Sequence, residues 1–142
     1  MAQLDKVKGI FANLDSYVGN LKTLAAMARQ DFLADFRNIE STKHLMQVSI
    51  ECCLDTAHHI IAREQFRAPK NYAESFEILV KQGIIPNEFL PTLRQMVNFR
   101  NRLVHLYWEI DAEFVYDEIL QKNLGDFDTF VRHVLNYIQE KP

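Results

Sequence analysis

The sequence predicts an all-α, up-and-down bundle of four to five helices. Apolar residues recur at spacings of three and four along most of the chain. Only four Gly and four Pro are present, too few for a loop-rich sandwich or barrel. No stretch shows the apolar–polar alternation of a half-buried strand. With 142 residues and no linker, repeat or low-complexity segment, one domain over residues 1–142 is expected.

Leu4, Val7, Phe11, Leu14, Val18, Leu21, Ala25 and Ala28 form a heptad stripe and predict a long first helix. Asp31 can cap a second helix that carries Phe32, Phe36 and Ile39. That helix continues through Leu45, Val48, Leu54 and Ile61 to about residue 66, and Pro69 ends the connection. Asn71 followed by Glu74 resembles a capping box, and Gly83 suits a C-terminal cap, so residues 72–82 read as a short third helix. Asn87 opens a fourth, with Pro91 tolerated near its start, running to about Tyr107. Asp111 can cap a fifth, whose Phe127, Phe130, Val131, Val134, Leu135 and Ile138 share a face and which Gly125 can kink. The run from Trp108 to Asp111 ends one helix and packs the next.

Composition narrows the function. Nearly half of the residues are hydrophobic (48%) and a quarter charged (25%), as in a soluble globular protein. No apolar run approaches the roughly 18 residues of a membrane span. The N-terminus lacks a signal-peptide pattern, and a cytoplasmic protein with no membrane partner is expected. The net charge of −3 argues against bulk coating of nucleic acid but leaves room for one local basic site. Cys52 and Cys53 are adjacent, diverge by about 100° on a helix, and read as core residues without a disulfide. No Cys/His metal spacing and no Gly-rich phosphate loop exist, so no cofactor or metal is expected. His58 and His59 read as surface or interface residues, since no third ligand lies at a usable spacing.

One stretch stands out, FRNRLVHLYWEID at residues 99–111. Helical projection puts Leu93, Met96, Val97, Leu103, Val104 and Tyr107 on one stripe, with Arg100 at its centre. A guanidinium cannot shed its charge, and unpaired burial costs several kcal/mol. It therefore pairs with a buried acid, lies between subunits, or awaits an anionic ligand. Glu51 and Asp55, four residues apart on the second helix, are the candidate acids, and either can also hold a functional Arg100 in place. Asn101 and His105 share a face flanking the stripe, while Arg102 points away toward solvent or a partner chain. Arg100 and His105 lie about 140° apart on an ideal helix. They converge only if the arginine reaches round, the helix loosens near His105, or two copies share a site.

Arg100, four residues, His105, one residue and Tyr107 match the RxxxxHxY motif, and the chain resembles the HepT branch of the HEPN superfamily. The blocks HLMQVSIECCLDTAHHIIA and NYAESFEILVKQGII, and the motif with its following helix, keep the order and spacing of HepT-like proteins. The resemblance covers nearly the whole chain, most clearly from residue 40 onward, while the first 30 residues are generic heptad sequence. It implies a metal-independent endoribonuclease toxin acting as a homodimer on RNA. His105 would carry the proton as a ribose 2′-hydroxyl attacks the adjacent phosphate. Arg100 would offset charge on the phosphate oxygens. Asn101 would orient His105 or bind phosphate, and Arg102 would position backbone. The resemblance also implies a cognate MntA-type nucleotidyltransferase antitoxin that adds AMP to Tyr107, placing negative charge beside Arg100 and His105. The alternative is a non-catalytic HEPN partner that delivers substrate to a nucleotidyltransferase. A structural dimerisation bundle, served by the heptads of the first helix, is a third option.

Overall fold

The computed structural model describes residues 2–140, with side chains from Asp5 onward, so Leu4 lies outside the described side chains. Among the described residues every regular element is helical. Helix α1 spans Ala2–Ala25, α2 Arg29–Leu33, α3 Phe36–Arg63, α4 Tyr72–Lys81 and α5 Leu90–His105. Helix α6 begins as Ala112–Phe114 and widens into a π-helical stretch, Val115–Leu120; α7 spans Gly125–Glu140.

The heptad stripe does its expected work. Val7, Leu14, Val18 and Leu21 are buried, and α1 packs chiefly along α3. The helix stops at Ala25, however, and exposed Ala28 becomes the residue preceding α2. The expected second helix is divided. Asp31 lies inside α2, and the cap of the long helix is Asp35, whose carboxylate accepts from the Arg37 N–H at 2.9 Å. Tertiary contacts decide between these two similar Asp–Phe steps. Phe32 is fully buried against the Tyr116 ring, whereas Phe36 is 71% exposed. Helix α2 is further tied to α6 by Arg29, which donates two hydrogen bonds to Asp117 at 2.9 and 3.1 Å.

The signals around α4 hold. Asn71 Oδ1 accepts from the Glu74 N–H at 2.8 Å. The return half of the capping box is missing, because the Glu74 carboxylate accepts from the Lys70 N–H and from Arg67 instead. Gly83 adopts φ +77°, and the bonds Ile84 N–H to Leu79 O and Gly83 N–H to Val80 O complete a Schellman ending. Helix α3 ends the same way, with Phe66 N–H bonded to Ile61 O, but the left-handed residue there is Gln65 at φ 59°.

The C-terminal region is more broken than the single kinked helix the sequence suggests. Asp111 precedes α6 but makes no side-chain cap bond, and Gly125 starts α7 rather than bending it. The wide π turn brings both Ile119 and Leu120 inward with Val115. Phe127, Phe130, Val134 and Ile138 of α7 are buried, with Phe130 set edge-on against Phe76 of α4. Cys52 and Cys53 are free and buried, and burial first, then neighbouring acid charges, pushes the Cys52 thiol up to about 11. His58 and His59 are half-buried rather than on the open surface, with His58 Nε2 2.9 Å from Ser75 Oγ.

A Cβ costs about 1 kcal/mol in the left-handed region, part of which a flexible glycine returns to the unfolded chain. Gln65→Gly should therefore raise unfolding free energy by about 0.5 kcal/mol, measured by urea denaturation at unchanged slope.

Candidate active site

The site is built where α3 faces α5. Leu93, Met96, Val97, Phe99 and Leu103 bury the inner side of α5. Val104, expected on the same stripe, is instead 40% exposed. Arg100 lies among the buried positions and keeps only 15% of its side chain exposed. Its Nε and Nη2 both donate to Glu51 Oε2, at 3.2 and 3.1 Å. Nη1 donates to Asn101 Oδ1 at 3.3 Å, and the guanidinium lies 4.8 Å from the centre of the Tyr72 ring. Gln47 Nε2 donates to the same Glu51 oxygen at 3.3 Å. Of the two candidate acids, the structure chooses Glu51. Asp55, one turn further along α3, is exposed, and its charge acts on Cys52.

His105 is the last residue of α5 and is exposed. Among the described residues no hydrogen bond or ion pair holds it. The helix breaks at Leu106 (φ −134°, ψ 37°), although the Leu106 N–H still reaches Arg102 O at 2.8 Å. A 3-10 turn over Tyr107–Glu109 follows. This corrects the sequence reading, which carries the helix through Tyr107 and sets its ring in line with Arg100. The chain leaves the helix here and folds Tyr107 back onto α3. There the Lys43 ammonium donates to the Tyr107 carbonyl at 3.3 Å, giving that group a partner outside the helix. The same ammonium lies 4.4 Å from the ring centre, and the hydroxyl donates to Glu40. Burial first, then the hydrogen bond to Glu40 and its charge, pushes the half-buried Tyr107 phenol well above its ordinary range. The run beyond Tyr107 packs only through Ile110, since Trp108 is 76% exposed.

Arg100, Asn101 and Glu51 are thus brought together, with Gln47 and Tyr72 added. Arg102 is not. It is half-buried over Phe114, 5.8 Å from that ring centre. There it lines a pocket of about 530 Å³ between α3, α5, α6 and α7 that also includes Met46, Phe99, Glu118 and Asp126. Burial raises the Asp126 carboxyl above its ordinary value. Among the described residues no cluster of His, Cys, Asp or Glu is grouped to hold a metal ion, and no helix is long and apolar enough to cross a membrane.

Sequence reasoning missed Glu40, Lys43 and Gln47. With Glu51 they recur at spacings of three, four and four, a polar stripe on α3 facing α5. The signal was in the spacing but reads as an ordinary solvated helix face.

The model of the Ribonuclease HepT-like family matches residues 14–134. The chain belongs to that family. It is 32% identical over 100 residues to an mRNA nuclease HepT of Shewanella oneidensis, covering 70% of this chain and 74% of that one. It is 28% identical over 124 residues to a tRNA nuclease HepT of Aphanizomenon flos-aquae, covering 86% and 82%. Its fold matches the tri-AMPylated Shewanella oneidensis HEPN toxin solved in complex with MNT antitoxin, with TM-score 0.83 at 26% identity over 92% of this chain and 96% of that one. The all-α HEPN fold and the nuclease class expected from the sequence therefore stand.

In this HepT-like chain the Arg100–Glu51 contact should behave as a charge-assisted pair, with Glu51 still 33% exposed. A double-mutant cycle of Arg100→Ala and Glu51→Ala, read by denaturation, should give a coupling of about 1 kcal/mol. Tyr107 binds its proton more tightly folded than unfolded. Its contribution to stability is thus present below the unfolded value of about 10 and is lost as pH rises through the folded value. Phenolate absorbance should show no Tyr107 signal, relative to Tyr107→Phe, until above that ordinary value. In Glu40→Gln the signal should move down.

Proposed function

We propose that the chain works as a single HEPN domain in the cytoplasm, as the RNA-cleaving toxin of a toxin–antitoxin pair. Arg100 and His105 are the catalytic pair and Tyr107 is the residue silenced by AMP. The observation that carries this is Arg100 itself. A permanent cation is held between α3 and α5 by Glu51, itself braced by Gln47, and by Asn101 and the Tyr72 face, with exposed His105 ending α5. Such preorganisation stabilises charge on a phosphate without reorganisation during reaction. His105, free of protein partners, can take the 2′-hydroxyl proton, and Asn101 steadies the guanidinium. Arg102, facing the neighbouring pocket, would hold RNA backbone away from the scissile bond.

A homodimer is supported by apolar side chains left open near the end of α5. Val104, Leu106, Trp108, Phe36 and Phe114 are 37–76% exposed. The second chain would bring a second motif to the cleft. The antitoxin is proposed to be an MntA-type nucleotidyltransferase, in keeping with the AMP-bearing toxin–antitoxin neighbour. The relatives named as mRNA and tRNA nucleases support RNA as the substrate class. The pairing of Arg100 with Glu51 favours a second reading, in which the arginine is purely structural and the chain is a non-catalytic partner delivering substrate to a nucleotidyltransferase.

The test is expression without any partner, beside His105→Ala, scoring growth and RNA integrity. Growth arrest with RNA cleavage is expected in the parent, and loss of at least about a hundredfold in cleavage rate in the variant. Normal growth and intact RNA in both, with soluble protein confirmed, would sink the nuclease reading.

A further inference from the structure

We propose that Glu40 is the general base for AMP addition to Tyr107: it accepts the phenol proton as the oxygen attacks the α-phosphate of ATP. This rests on the modification proposed above and names the residue of this chain that makes it possible.

The argument starts from the hydroxyl. A neutral phenol is a weak nucleophile, and its proton must leave as the new bond forms. A freely formed phenolate is not the route here, because burial and the Glu40 carboxylate both disfavour negative charge on that oxygen. The proton must therefore pass to an acceptor already touching it. Glu40 is that acceptor, since it takes the Tyr107 O–H bond directly. The bond occupies the hydrogen and leaves the oxygen's remaining lone pairs directed elsewhere, available to a phosphorus atom.

The surroundings fit this chemistry. Tyr107 is half-buried, with its hydroxyl at the exposed rim of α3, where Glu40 is itself exposed. Lys43, one turn further along α3, is only 6% exposed. Its ammonium is fixed by the Tyr107 carbonyl at 3.3 Å and lies 4.4 Å from the ring centre. The ring is thereby held in place, with a positive charge over its face. Glu40 and Lys43, both from α3, are the charged groups in contact with Tyr107.

The step balances. The Tyr107 Oη–Pα bond forms, and the Pα–O bond to the β-phosphate breaks. Pyrophosphate leaves, and the proton passes to the Glu40 carboxylate and then to solvent. Afterwards Tyr107 has no hydrogen left to donate, so its bond to Glu40 is gone. An AMP added to the first one would attach to a ribose hydroxyl, away from Glu40. Only the first addition should depend on this residue.

The experiment incubates full-length toxin with its nucleotidyltransferase partner and Mg-ATP, following intact mass over time. The chains compared are the parent, Glu40→Gln and Tyr107→Phe, with circular dichroism confirming the helical fold. Glu40→Gln keeps a hydrogen-bond acceptor but loses basicity. The first AMP should then appear about a hundredfold more slowly. Its rate should climb with pH more steeply than the parent's, because hydroxide replaces the lost base. Conversion of the singly modified variant to further species should keep the parent's rate. First addition to Glu40→Gln at the parental rate would overturn the proposal. So would an equal slowing of every addition with an unchanged pH slope, which would mark Glu40 as a docking contact. A parent that takes no AMP, or a Tyr107→Phe chain that takes as much, would instead defeat the modification reading and the role of Glu40 with it.

Discussion

The organising constraint is a cation that cannot be neutralised. Arg100 sits on the inner side of α5, flanked by Met96, Val97, Phe99 and Leu103, and α3 must answer its charge. Glu51 does so with one oxygen that accepts from Arg100 twice and from Gln47 once. That requirement fixes the rotation of α3 about its axis. The face that presents Glu51 also presents Gln47, Lys43 and Glu40, which fall within about 80° of one another on a helix. Its other faces supply Ile50, Cys53, Leu54, Ala57, Ile60 and Ile61 to the core. One long helix thus serves as the wall of the core and as the polar floor of the site.

The same stripe explains why α5 ends where it does. No Gly or Pro follows His105 to stop the helix. What stops it is tertiary: Lys43 takes the Tyr107 carbonyl, and Glu40 takes the hydroxyl. A lysine only 6% exposed needs a partner, and a carbonyl oxygen with an aromatic face supplies one. His105 is left at an unpacked helix end, exposed and unconstrained, while its neighbour two residues on is pinned from two sides.

Local chemistry was legible where it was decided locally. Asn71 and Gly83 act at the ends of α4 because an Asx cap and a left-handed glycine need no distant partner. The burial of Val7, Leu14, Val18 and Leu21 follows from period alone. The choice between Asp31 and Asp35 was not legible, since each precedes Phe and only the fit of Phe32 against Tyr116 separates them. At the site, projection found Arg100 and its acid. It misplaced Tyr107 because projection assumes a continuous helix, and the break depends on Lys43, more than 60 residues away in sequence.

That long-range tie changes what a modification of Tyr107 does physically. On a continuous helix the tyrosine would be a neighbour of Arg100 on one rigid face, and added phosphate would act through charge alone. In this structure it sits on a separate turn, latched to α3 by a hydroxyl proton. Esterifying the oxygen places negative charge near the motif and simultaneously removes the donor that ties this turn to Glu40. The two effects act in the same direction. Under the proposed modification the phosphodiester would compete with RNA for the positive charge of Arg100, and the turn next to His105 would lose the contact that positions it. A switch that relied on charge alone would weaken with salt. One that also exchanges a hydrogen bond for a repulsion between two acceptor oxygens keeps part of its effect when the charges are screened.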